Sequence, residues 1–288
     1  MSLNVHLGGA VGAIDRYPVK SMRGEPAERI EISERGIAGD RLWAVLDEAT
    51  GKIASAKAPR LWRGLLMCAA HLAADGETVE ITLPDGMTAS AGEPSLDRSL
   101  SDLLGRAVRL IRIPPEAASL ERSHPEAVLA EGLDAEVGAD VLEIAAASPA
   151  ATFFDYAPLH VITTATLDSL SKPLADGPIE RPRYRANVVI QSPDGSIDFP
   201  ENGWVGFTLR IGDTVACKVV LSTPRCAIPT LAQGVLPSRP TVLRTIAARN
   251  MVDIPGFGVQ PCAGVYATVT SGGAIRAGDR VIVSMDGV

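Results

Sequence analysis

Strand-length runs recur along the whole chain, each ended by Gly, Pro or Asp. They are GAVGAIDRYPVK, AERIEISERG, RLWAVLDE, GKIASA and ETVEITLPDG in the first half, then ANVVIQ, FTLRIGD, TVACKVVLS, VYATVTS and DRVIVSM in the second. Runs this short, rich in β-branched residues and bounded by turn formers, read as strands. LRIGDTVACKV and AIRAGDRVIVS each place Gly-Asp between apolar strands, as turns of a small closed barrel would.

Helical spacing is confined to a few segments. Leucines 96, 100, 103 and 104 form a stripe in SLDRSLSDLLGRA. LHVITTATLDSLSK reads as a strand running into a threonine-capped helix, and PTVLRTIAARN carries Pro240 near its start and Asn250 at its end. Residues 114–151, rich in Pro, Ala and Glu, read as a partly ordered connector. The expected fold class is mainly β with some α. A chain of 288 residues has room for two such domains.

Charge and composition exclude several roles. A net charge of −7 argues against a broad nucleic-acid surface, which needs a basic field, but leaves room for a local anion site. The start MSLNVHLGGA lacks a signal-peptide pattern, and LLMCAAHLAA is too short to span a membrane. The expectation is a soluble, cytoplasmic protein with no membrane partner. Cys68, Cys217, Cys226 and Cys262 form no CxxC pair, which excludes a disulfide framework and a ferredoxin-type cluster. Any iron–sulfur electron relay must be a separate protein.

One cysteine stands apart. In LSTPRCAIPTLAQG, Cys226 follows Arg225 and lies between Pro224 and Pro229. A neighbouring guanidinium favours the thiolate, which is the better nucleophile and the better metal ligand, and the prolines fix a turn expected to face the surface. The other three cysteines lie in or beside apolar runs and read as core residues.

Basic residues gather in three further motifs. Lys20 and Ser21 follow a strand in YPVKSMRG, where an ammonium and a hydroxyl can meet an oxyanion; the glycine-rich cradle of a P-loop is missing. Arg41 precedes Trp43 in GDRLW, and Arg185 and Asn187 open RYRANVV. Arginine forks suit phosphate or carboxylate, and an asparagine amide suits a heterocycle. His160 reads as a core residue on a strand, His124 lies in the connector, and His6 and His71 have no partner pattern. Neither HExxH nor GxSxG occurs.

Taken in order, IDRYPVKSMRG, GDRLWAV…GKIASAKAPRL, LLGRAVRLI, RYRANVVI, LRIGD, STPRC and VLRTIAARN resemble the MOSC family, named for a domain of molybdenum cofactor sulfurase. The resemblance spans nearly the whole chain and is to the branch that holds the mitochondrial amidoxime-reducing component and its bacterial relatives. It implies a MOSC N-terminal domain over residues 1–148, with its first strand joining the barrel, and a MOSC domain over 149–288 as a small β-barrel. It also implies a molybdenum cofactor (Mo-molybdopterin) in the cleft between them. Cys226 would be the thiolate on molybdenum and the catalytic residue. Lys20, Ser21, Arg41 and Arg185 would hold phosphate and pterin, with Asn187 close by and Arg225 offsetting negative charge. FFDYAPLH nominates Asp155 and Tyr156, and GVYATV nominates Tyr266. Pro224 stands where those relatives carry a serine.

The function implied is an oxidoreductase that removes oxygen from small N-hydroxylated or N-oxide substrates, with electrons from a separate donor protein. The competing expectation is a carrier of sulfur or of the cofactor, using Cys226 without redox turnover.

Overall fold

The computed structural model describes residues 5–144 and 147–285. Its largest sheet closes on itself. Strand Leu159–Thr163 lies parallel to Val188–Gln191, which pairs antiparallel with the first strand, Val5–Arg16. From Val5–Arg16 the order continues through Arg280–Ser284, Thr208–Ile211 and Val215–Pro224 to Gly258–Ser271, which pairs back onto Leu159–Thr163. The result is a seven-strand barrel, and closure removes the exposed sheet edges that would template aggregation.

Period-two alternation sorts the side chains. Val161, Val188, Ile190, Leu209, Val265 and Val281 fill the barrel interior. Their neighbours Ile162 and Val189 point outward and are covered by helices Thr164–Ser171 and Thr241–Arg249 through Leu170, Val242 and Ile246. Thr163 caps the first of these helices, its side chain accepting from the Thr166 amide. Pro240 and Asn250 flank the second.

The N-terminal half is built from smaller sheets. Ala44–Asp47 pairs with Val108–Ile111, and Ala69–Leu72, Val79–Thr82 and Thr88–Ser90 form a meander. Helix Pro94–Leu104 buries Leu96 and Leu100 against them and ends at Gly105 in the left-handed region.

Three local readings differ from the sequence expectation. GKIASA is no strand; Ile53 makes one isolated bridge to Leu46, and the chain bends immediately after. Of the two Gly-Asp turns, only Gly212-Asp213 joins a barrel hairpin. Gly278-Asp279 carries the chain from Gly273–Arg276, which pairs with Arg29–Ser33, into the barrel strand Arg280–Ser284. The supposed connector holds an antiparallel ribbon, Ser119–Ser123 with Ala139–Glu143, around helix Pro125–Glu131. The ribbon escaped detection because it has few β-branched residues; its buried Leu120 packs onto Ile53, Ile111 and Phe153 instead.

Candidate functional site

Strand Val215–Pro224 delivers a turn that is held from both sides. The Arg225 amide donates to the Pro261 carbonyl at 2.8 Å, and Arg225 Nη2 donates to the Tyr184 carbonyl at 2.9 Å. Cys226 follows, then a short 3-10 turn, Ile228–Thr230. The turn does not face the surface as expected. Cys226 is 8 % exposed and packs with Ile228 and Leu231 and, from the N-terminal half, Ala56 and Leu66. What remains exposed lines a cleft between the two halves of the chain. Cys68, Cys217 and Cys262 are fully buried elsewhere, and burial pushes each thiol up to about 12. None of these three borders the cleft.

The loop after the first strand sends Lys20 into the same cleft. Its Nζ donates to the Phe153 carbonyl at 2.8 Å and pairs with Asp155, which Lys57 also approaches at 3.1 Å. Burial pulls the Lys20 ammonium down to about 8; Asp155 resists this, and Lys57 and Arg41 reinforce it. Burial disfavours the Asp155 carboxylate too, but the two ammoniums outweigh that and hold its pKa well below the usual range.

Arg41 and Arg185 flank one tyrosine, their guanidinium carbons 4.6 and 4.5 Å from the Tyr17 ring centroid. Arg41 Nη1 pairs with buried Asp40 and donates to Asn187 Oδ1 at 3.0 Å, while Nη2 donates to the Arg185 carbonyl at 3.1 Å. The Arg185 guanidinium makes one hydrogen bond among the described residues, from Nη1 to the Met22 carbonyl at 2.6 Å. Burial, with Arg41 beside it, pulls Arg185 down to about 10. Asn187 lines the cleft, yet its amide is committed within the protein. Nδ2 donates to Asp40 at 3.0 Å, and Oδ1 also accepts from the His160 amide at 3.2 Å. It holds Arg41 in place.

The Ser21 hydroxyl oxygen accepts from the Ala56 amide at 3.0 Å, which leaves its proton free to donate. Ser21, Arg41 and Arg185 all have positive φ, of 65°, 46° and 55°. Non-glycine residues adopt this region at a cost, and such strain gathers where function holds it.

An aromatic row forms another wall. His160 lies opposite Tyr266 in the strand register, with ring centroids 5.7 Å apart. Tyr156 sits 5.8 Å from Tyr266 and 6.1 Å from Phe257, the latter edge-on at 81°. His160 Nε2 lies 3.2 Å from the Ala263 carbonyl, and Gly264 makes room: a Cβ there would stand 2.5 Å from Nε2. Burial, then the Arg225 charge, push the imidazole down to about 3, so it is neutral at physiological pH.

All ten residues nominated from the sequence line this cleft: Lys20, Ser21, Arg41, Asp155, Tyr156, Arg185, Asn187, Arg225, Cys226 and Tyr266. Lys57, Arg122, His160 and Tyr184 line it too and were not nominated. Lys57 lay inside a quoted motif, so its signal was at hand. In the sequence His160 reads as core, because nothing local reveals that its cross-strand partner is Tyr266.

The cleft suits an anionic guest that also binds a thiolate. Lys20, Lys57, Arg41, Arg185 and Arg225 outnumber the Asp155 and Asp40 carboxylates. Among the described residues Tyr184 Oη and Arg225 Nε are buried without a partner, two polar atoms that a ligand could satisfy. Among the described residues no three His, Cys, Asp or Glu side chains converge as a metal-binding set. A metal held by Cys226 would take its other donors from a cofactor.

Comparison with known proteins places these elements in context. The MOSC domain model matches residues 149–282, and the MOSC N-terminal beta barrel domain model matches residues 8–104. Mitochondrial amidoxime-reducing component 1 of Homo sapiens is 26 % identical, across 95 % of this chain and 82 % of its own length. Mitochondrial amidoxime reducing component 2 of Homo sapiens is 25 % identical, across 95 % and 83 %. Among solved structures, the YUAD protein from Bacillus subtilis aligns over 98 % of both chains at 10 % identity with a TM-score of 0.46.

Proposed function

Because the chain belongs to the MOSC family, with that family's N-terminal β-barrel domain ahead of the MOSC domain, we propose that it is a molybdenum-cofactor-dependent oxidoreductase. On this reading it reduces small N-hydroxylated or N-oxide compounds, in keeping with relatives named for amidoxime reduction. The supporting observation is the Cys226 thiol bordering the same cleft as Lys20, Arg41, Arg185 and Arg225.

Each residue has a task that follows from its setting. Cys226 is the protein's donor to the metal, and Arg225 beside it offsets the charge of a thiolate. Lys20, Arg41 and Arg185 hold the cofactor's phosphate and pterin, joined by the free proton of Ser21. Asp155 keeps Lys20 protonated, and Asn187 with Asp40 aims Arg41. Tyr156 and Tyr266 bound the space left for substrate. When bound, the molybdenum cofactor supplies the two-electron chemistry, as cofactors generally carry the hard step. Overall, the substrate N–O bond breaks and the oxygen leaves as water, with two protons from solvent and two electrons from a separate donor protein.

Purification from a cofactor-making host, with molybdenum and pterin measured per chain, tests this directly. The expected result is near-stoichiometric content and turnover of benzamidoxime with a chemical reductant. A loaded protein that reduces nothing would be a carrier. A protein that takes up neither molybdenum nor pterin would end both readings.

A further inference from the structure

The Ser119–Ser123 and Ala139–Glu143 ribbon does more than join the two halves of the chain. It brings Arg122 and Leu142 to the cleft, held there by the Ser123 amide donating to the Lys57 carbonyl at 3.1 Å. Arg122 faces Asp140 in the strand register, yet Asp140 turns to His124 Nε2 at 3.3 Å. Among the described residues the Arg122 guanidinium has no hydrogen bond and no ion pair. Other cleft cations are engaged: Lys20 and Lys57 share Asp155, Arg41 holds Asp40, and Arg225 holds the Tyr184 carbonyl. Arg122 is a half-buried fork of donors with nothing to bind.

Apolar side chains lie along the same cleft. Leu142 comes from the same ribbon, and Tyr156 stands edge-on to Phe257. A planar ring suits such a wall, since aromatic groups stack and meet edge to face at these spacings.

We propose that Arg122 recognises an anionic group on the substrate, so that this protein prefers N-oxygenated compounds carrying a carboxylate on a flat apolar body. The inference rests on the oxidoreductase reading for the N–O group and adds the class of molecule that bears it. A guanidinium engages a carboxylate through two parallel hydrogen bonds. The cofactor's phosphate shares this chemistry and is the other anion that could reach Arg122.

The test compares benzamidoxime with 4-carboxybenzamidoxime on cofactor-loaded protein, by isothermal titration and by kcat/KM, with pterin content measured for every variant. The carboxylated compound is expected to bind about tenfold more tightly, the scale of one charge-assisted hydrogen bond. Arg122→Gln should bring that ratio close to one, and Arg122→Lys should keep part of it. Arg109→Gln removes the same charge outside the cleft, where Arg109 meets Glu48 at 3.8 Å, and should preserve the ratio. A wild-type ratio near one, or a ratio that survives Arg122→Gln, overturns the inference. Loss of pterin from Arg122→Gln overturns it as well, by assigning the arginine to the cofactor. Selective binding without reduction of either compound would keep this inference and sink the oxidoreductase reading instead.

Discussion

Lys20 and Asp155, 135 residues apart in the chain, meet as an ion pair at the seam between the first-strand loop and the barrel domain. The pair sets a pH window. Lys20 is pulled from the ordinary lysine value of 10.5 to about 8 when folded, mainly by burial. Between those values the unfolded chain binds more protons, so this group makes stability rise with pH from about 8 to 10.5. Asp155 acts in the acid range: its folded pKa lies well below 3.8, so its contribution is present above 3.8 and is lost as pH falls through the folded value. Anion binding runs the other way from Lys20's effect on stability, because only protonated Lys20 attracts phosphate. Cofactor uptake by the empty protein should fall above pH 8, and Lys20→Arg should extend uptake to higher pH. Uptake unchanged at pH 9.5 in the native protein would remove Lys20 from the anion site.

Cys226→Ala should abolish reductase activity while the fold persists. The thiol is buried among Ala56, Leu66, Ile228 and Leu231, so the truncation leaves a small void costing about 1 kcal/mol. Cys226→Ser keeps the size but offers a hydroxyl that stays protonated at neutral pH. Arg225→Ala should lower activity less than loss of the thiol. Matching substitutions at Cys68, Cys217 and Cys262 should alter melting temperature and spare turnover, since none of them reaches the cleft. Full turnover by cofactor-loaded Cys226→Ala would end the ligand assignment.

Arg41→Ala should lower cofactor occupancy and should also cost stability. The sequence alone invites treating Arg41 as removable, but its partner Asp40 is 1 % exposed and would be left a buried charge. Breaking such a pair costs roughly 3–5 kcal/mol, less here because Asn187 and the Tyr17 amide still donate to Asp40. Arg41→Lys keeps the charge and loses the fork. Pterin content and thermal melts on both variants separate anchoring from folding.

Gly264→Ala should destabilise by roughly 2–4 kcal/mol. Its φ is +83°, and the new Cβ would meet the Val161 carbonyl oxygen at 2.6 Å and His160 Nε2 at 2.5 Å. Gly256, at φ +82°, has open space around it, so Gly256→Ala should cost only about 1 kcal/mol of backbone strain. Equal losses in thermal melts would mean that His160 is not tightly seated.

Much of the barrel was legible because its strands carry their own punctuation. Val188, Val189 and Ile190 alternate inside and outside as period two requires, and the covering helices are marked at their starts by Thr163 and Pro240. The Ser119–Ser123 ribbon was not legible, since its strands are held by contacts to Ile53 and Phe153 that no local pattern announces. In the cleft, sequence marked groups whose charge is unusual for their setting: a cysteine after an arginine, a lysine after a strand. It could not mark Asp40, whose role depends on Asn187 arriving 147 positions later. Nor could it show that Asn187's amide is spent on Arg41, Asp40 and the His160 amide.

The left-handed backbone at Ser21, Arg41 and Arg185 has a consequence for how this protein changes over generations. Glycine at any of the three would relieve about 1 kcal/mol of backbone strain, but it would also remove a side chain that the fold uses: the acceptor for the Ala56 amide at Ser21, the partner of buried Asp40 at Arg41, the donor to the Met22 carbonyl at Arg185. A screen that rewards heat resistance and ignores activity would therefore leave these positions alone. A descendant released from selection on the chemistry would keep the three side chains all the same.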